Sequence, residues 1–267
     1  MGEHFYSLSA ALPVDGRAIP IYWEVHPEAK LQNRKVQNAF LKTLKLLLPN
    51  AVKPLIVTDA GYQSPWFKTV TDLGWNYVGR LSGRVYLDLP EAGWCRVASL
   101  YAFATKRNKD LGVCRVTMKS KSFRRVILGK EFARNPERSK TKRRRSDRGR
   151  SNEQAKKRSQ EPWVITTSLS SYSADQIIKL YAGRMQIEES YRDVKNHRFG
   201  WSFSHAKSRD TKRLEILLLI ATIANIVMTL VGQAAEAQGI QRRYQANTIK
   251  TRRVLSQFFL GKCIIER

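Results

Sequence analysis

The sequence predicts an α/β fold, a mixed sheet flanked by helices, and three observations predict it. The chain opens with an antiparallel hairpin pattern, helix and strand patterns then alternate, and a run of short apolar segments divided by charge precedes a well-capped helix. The hairpin comes from Phe5 to Leu12 and Ala18 to Val25, around a Val14-Asp15-Gly16-Arg17 turn whose Asp-Gly pair suits a two-residue loop. Asn33 to Leu48 reads as a helix ended by Pro49, and Pro54 to Thr58 as a short strand. A second helix follows, with Ser64 as its cap and Pro65 at its first position, and a strand lies near Trp75 to Leu81. Helix, strand, helix, strand implies parallel pairing, so the hairpin is expected to join a mixed sheet.

Between Ser82 and Pro162 the pattern becomes β-rich, with Val113 to Met118 and Arg125 to Leu128 as its clearest strands. The expected organisation is residues 1–82 as the first part of the core, 83–162 as a β-rich insertion with a flexible basic loop at about 133–160, and 163–267 as the second part of the core. That second part begins with a strand, Trp163 to Ser168, and continues into a helix that runs from a Ser173/Gln176 capping box to about Asn196. Ile216 to Val231 is an apolar run of 16 residues holding Thr222, Asn225 and Thr229. It falls short of the ~20 residues needed to cross a bilayer and reads as a buried core helix rather than a membrane span.

The 267 residues are 42% hydrophobic, enough for a substantial core. Their 48 basic against 22 acidic residues leave +26, which calls for a polyanionic partner, nucleic acid first and an anionic membrane second. From Lys106 to Arg158 there are 21 Lys and Arg against 5 Asp and Glu, so 16 of the 26 charges sit in that stretch. Cys95, Cys114 and Cys263 are too few and too scattered for a disulfide framework or a structural zinc, which fits a reducing cytoplasm. Met1 leads straight into polar residues, so no secretory signal is read there.

Two features carry chemistry. Tyr181, Arg184, Glu188 and Lys195 fall within roughly 60° of one another on one helix face at 100° per residue. A hydroxyl, a guanidinium, a carboxylate and an ammonium in that order suit a site that holds a metal ion and a phosphodiester together. The plain alternative is an ordinary Arg184–Glu188 surface pair, worth a few tenths of a kcal/mol. Asp59 stands at the carboxyl end of an apolar strand, where open α/β sheets place their ligand sites; it can equally serve only to turn the chain. Oxygen-only ligation by two carboxylates is the preference of magnesium and manganese.

Tyr181-x2-Arg184-x3-Glu188-x6-Lys195 matches the signature of the insertion-sequence-four family of DDE transposases. Leu55-Ile56-Val57-Thr58-Asp59-Ala60-Gly61-Tyr62 resembles the segment around that family's second catalytic Asp. Arg184-Met185-Gln186-Ile187-Glu188-Glu189 and Tyr244-Gln245-Ala246-Asn247-Thr248 extend the likeness along nearly the whole chain. The resemblance implies an RNase H-like core of the retroviral-integrase type, interrupted by a β-rich insertion. It implies cut-and-paste transposition with two divalent ions, magnesium or manganese, held by Asp59 and Glu188 as catalytic residues, with Tyr181, Arg184 and Lys195 on DNA phosphates. Trp163, in a Trp-x3-Thr context, is similar to the family's aromatic that stacks on a flipped base; a core aromatic is the alternative. The implied partners are double-stranded DNA, as transposon ends and target, and a second copy in a homodimer on DNA. No membrane is implied, and the setting is a bacterial cytoplasm at the nucleoid. The family's first catalytic Asp precedes the stretch matched by Phe5 to Leu12, and Asp15 is no substitute. The expectation is therefore an N-terminally truncated, inactive member with two of three carboxylates. A non-catalytic basic nucleic-acid-binding domain is the competing reading.

Overall fold

A computed structural model of the protein describes residues 5–14, 16–118, 122–129, 161–195, 208, 210–245, 248 and 254–266. In chain order its strands are β1 (Phe5–Val14), β2 (Arg17–Pro27), β3 (Leu55–Thr58), β4 (Asn76–Arg80), β5 (Tyr86–Leu89), β6 (Gly93–Arg96), β7 (Lys109–Val116), β8 (Ser122–Gly129) and β9 (Trp163–Thr167). Its helices are α1 (Arg34–Leu47), α2 (Ser64–Asp72), α3 (Ala174–Ala182), α4 (Met185–Lys195), α5 (Thr211–Ala237) and α6 (Gln257–Ile265). The basic stretch 133–160, Asp15, Asn196 and the Ala246-Asn247 pair lie outside the described residues. Two compact units emerge, residues 32–184 and residues 1–31 with 185–267.

In the unit of residues 32–184, seven strands form one mixed sheet in the order β3-β4-β9-β8-β7-β5-β6. β3 and β4 pair in parallel, Leu55 opposite Asn76 and Thr58 opposite Gly79, as the helix between them requires. β9 then runs antiparallel to β4 and to β8. All five residues of β9 are buried, as befits an inner strand with both faces covered. The β-rich stretch does not make a sheet of its own: β8 pairs with β9, so β5 to β8 extend the sheet that holds β3 and β4.

The local signals explain the helices. Asn33 caps α1, its Oδ1 accepting from the Lys35 and Val36 amides. α2 begins at Ser64 itself with Pro65 in the first turn, so Gln63, without a side-chain cap bond, takes the capping position expected of Ser64. Phe67 of α2 packs on β4 because position 79 is glycine; a Cβ there would meet the Phe67 ring at 2.4 Å. α3 starts with the expected capping box, Ser173 with Gln176. It places Ile177, Ile178 and Tyr181 on Val78, Ile127, Trp163 and Ile165 of the sheet.

In the other unit, β1 and β2 form a hairpin that pairs Val14 with Arg17. Gly16 has φ 88°, the left-handed conformation a two-residue turn demands. The expectation that this hairpin joins the mixed sheet is corrected: it is a separate two-stranded sheet. Its amides find side chains instead of a further strand, Ala18 N–H donating to Ser190 Oγ of α4 at 2.7 Å and Val25 N–H to Glu215 Oε1 of α5 at 2.9 Å. Arg17 adds an ion pair to Asp193 at 2.5 Å.

α5 corrects a second expectation. The 16-residue apolar run is part of a 27-residue helix, long and apolar enough to cross a membrane by length and composition. Its buried residues are Ala221, Thr222, Gly232 and Ala235, whereas Ile216, Ile220, Ile223 and Leu230 are exposed. It is therefore not a core helix buried all round. α6 crosses it in backbone contact, since a Cβ on Gly232 would fall 1.9 Å from the Gln257 oxygen and one on Gly261 1.9 Å from the Met228 oxygen.

Candidate active site

Asp59 follows directly on β3, at the carboxyl end of a strand in parallel pairing. Thr58 is buried and Asp59 is exposed, so the chain leaves the sheet at that residue. Asp59 Oδ1 accepts the Gly61 amide at 2.9 Å, an Asx turn, while its other oxygen makes no hydrogen bond among the described residues. A Cβ at Gly61 would lie 3.0 Å from Oδ1, which is why glycine suits this tight return. The turning role of Asp59 is thus observed: one oxygen closes the turn.

The sequence did not point to Arg80. The β3–β4 register ends with Thr58 opposite Gly79, so Asp59 and Arg80 are the residues that follow the last pair. Arg80 pairs with Glu161 at 3.3 Å. Both Arg80 and Asp59 act electrostatically on Tyr181, which is 1% exposed. Burial pushes the Tyr181 hydroxyl above its ordinary pKa; Arg184 and Arg80 and a hydrogen bond from Arg184 oppose the rise, and Asp59 adds to it. The Arg184 guanidinium stands 5.7 Å from the Tyr181 ring centroid. Asp59, Arg80, Tyr181 and Arg184 therefore form one constellation within residues 32–184.

Trp163 is 8% exposed and meets Tyr181 edge-on at 4.8 Å between ring centroids. In this structure it supports Tyr181 from the core and presents no open face. The single helix expected to carry Tyr181, Arg184, Glu188 and Lys195 on one face is corrected. α3 stops at Ala182, Gly183 and Arg184 form a turn, and α4 starts at Met185. The Arg184 amide bonds back to Tyr181 O at 3.0 Å, a tightened turn that closes α3. Glu188 is exposed in the first turn of α4, and Lys195 ends that helix. Among the described residues no three His, Cys, Asp or Glu side chains cluster. A hard cation such as magnesium needs only one or two carboxylates when substrate oxygens and waters complete its shell, and an exposed Asp59 with an uncommitted oxygen fits such a position.

A mixed α/β sheet that delivers an acid from the end of a parallel strand presents it where open α/β sheets place their ligand sites. The family model described as the transposase DDE domain matches residues 2–226, and the chain belongs to that family. No curated protein matches it.

Proposed function

We propose that this chain is built for metal-dependent DNA cleavage and strand transfer in cut-and-paste transposition, on an RNase H-like core. The observation that carries the reading is Asp59, exposed at the end of β3 with an uncommitted oxygen, in a chain of the transposase DDE domain family. The residue pattern resembles that of transposases of the insertion-sequence-four group, the one of the composite tetracycline-resistance element among them.

Asp59 and Glu188 are the proposed ligands for magnesium or manganese. When bound, such ions activate the attacking oxygen and stabilise the leaving one. Arg184 and Lys195 neutralise phosphates flanking the scissile bond, and Arg80 adds a charge that the motif does not contain. Tyr181, buried under Arg184, orients that guanidinium through its hydroxyl and ring. Trp163 braces Tyr181; for it to stack on an extruded base, the ring must leave that packing. The proposed partners are transposon-end and target DNA, with a homodimer assembled on them.

Asp59 and Glu188 are two of the three carboxylates that the resemblance implies. Manganese binding, followed by electron paramagnetic resonance, tests the ligand assignment. Asp59→Asn and Glu188→Gln should each weaken it about tenfold or more. Unchanged binding in both would leave only a basic DNA-binding domain.

A further inference from the structure

Residues 32–184 contain a groove of about 1170 Å³ that begins at Ala60 and Gly61, the two residues after Asp59. Arg34, Lys68, Arg84 and Arg124 line it, and no Asp or Glu does among the described residues. Arg124 is the unusual member. It is 7% exposed and lies 5.0 Å from the Phe67 ring centroid and 5.8 Å from that of Tyr77, two rings that pack on each other. Its Nε donates to Ser122 Oγ at 2.8 Å and its Nη2 to Ser64 O at 3.1 Å, while Nη1 has no partner among the described residues. A buried guanidinium without a carboxylate is costly unless an anion compensates it. The start of α2, at Ser64 and Pro65, lines the same groove and turns the positive end of a nine-residue helix toward it. Gln32 at φ 61° and Thr117 at φ 66°, the two non-glycine residues with left-handed backbone among the described residues, also line it, and such strain gathers where ligands bind.

Phosphate is only half of the fit. Tyr62, Tyr86 and Met118 supply aromatic and thioether surface on the walls, which bases inside a duplex cannot reach. Cationic floors with ring-bearing walls take single strands, in which bases stack on side chains while phosphates meet arginines. Resting on the proposed function, we infer that this groove holds the single-stranded DNA flanking the phosphodiester at Asp59, with Arg34, Arg84 and Arg124 on its phosphates.

The test uses the whole chain in EDTA, where the metal site is silent, with a single-stranded oligonucleotide containing 5-bromodeoxyuridine. Ultraviolet cross-links should map to the peptides of Tyr62 or Tyr86. In anisotropy titrations, Arg34→Gln with Arg84→Gln should cost tenfold or more and lower the salt slope by about 1 to 2. Lys42→Gln with Lys109→Gln, two exposed changes outside the groove, should cost much less. Arg124→Lys, checked for folding by thermal melting, should weaken binding while keeping the charge. Cross-links confined to other peptides, or equal losses from the two double variants, would overturn the inference. So would an equal effect of the groove variants on duplex DNA. Because no metal is present, such a failure leaves the manganese test of Asp59 and Glu188 intact, and the converse holds.

Discussion

Single residues in this chain report on burial through their protons. Cys114 is fully buried in β7, and burial, reinforced by Cys95, Asp110 and Asp88, pushes its thiol from 9.0 up to about 11. The unfolded chain ionises from pH 9 upward while the folded chain keeps the proton. This contribution to stability is therefore complete below pH 9 and is lost between pH 9 and 11. It amounts to about 2 kcal/mol. Melting curves from pH 8 to 11 should fall more steeply for the native chain than for Cys114→Ala, whose cavity cost does not depend on pH. Gly79 gives a second check. Gly79→Ala drives a methyl into the Phe67 ring and should destabilise by about 1 to 3 kcal/mol in urea unfolding. Asp59 was legible in the sequence because an apolar strand followed by Ala-Gly announces a strand end. Arg80 and Arg124 were not. Arg80 follows the last β3–β4 pair, which only the register reveals, and the burial of Arg124 depends on β8 lying between β7 and β9.

Elements were legible where side chains signal their ends. The Ser173 cap stands as read, and Ser173→Ala should lower thermal stability by about 1 kcal/mol with little change elsewhere on the sheet. The break at Gly183 was not legible, since one glycine inside a helical pattern is commonly tolerated at a cost of ~1 kcal/mol. It matters for the site, because it moves Arg184 off both helices and onto a turn against Tyr181. Periodicity likewise announced α5 but not its exposure. An apolar run states that water is unfavourable and does not name the surface that replaces it.

Across the molecule, strand alternation gave the class of fold but not the membership of its sheets. The β8–β9 ladder joins strands separated by residues 130–162, and the hairpin stays apart because helix side chains satisfy its amides. Neither long-range choice leaves a mark in local sequence. The charge of +26 has its own consequence at this scale. If six or more phosphates are neutralised, affinity for DNA should fall about a thousandfold or more between 50 and 200 mM salt, a slope that anisotropy measures directly. The backbone contact at Gly232 and Gly261 sets a different kind of limit. Two chains that touch without side chains between them form a hinge pin of fixed length: an insertion of one residue in either helix would turn its glycine about 100° away from the crossing. The carboxy-terminal pair can thus drift freely in its exposed chemistry while its spacing is held by geometry alone.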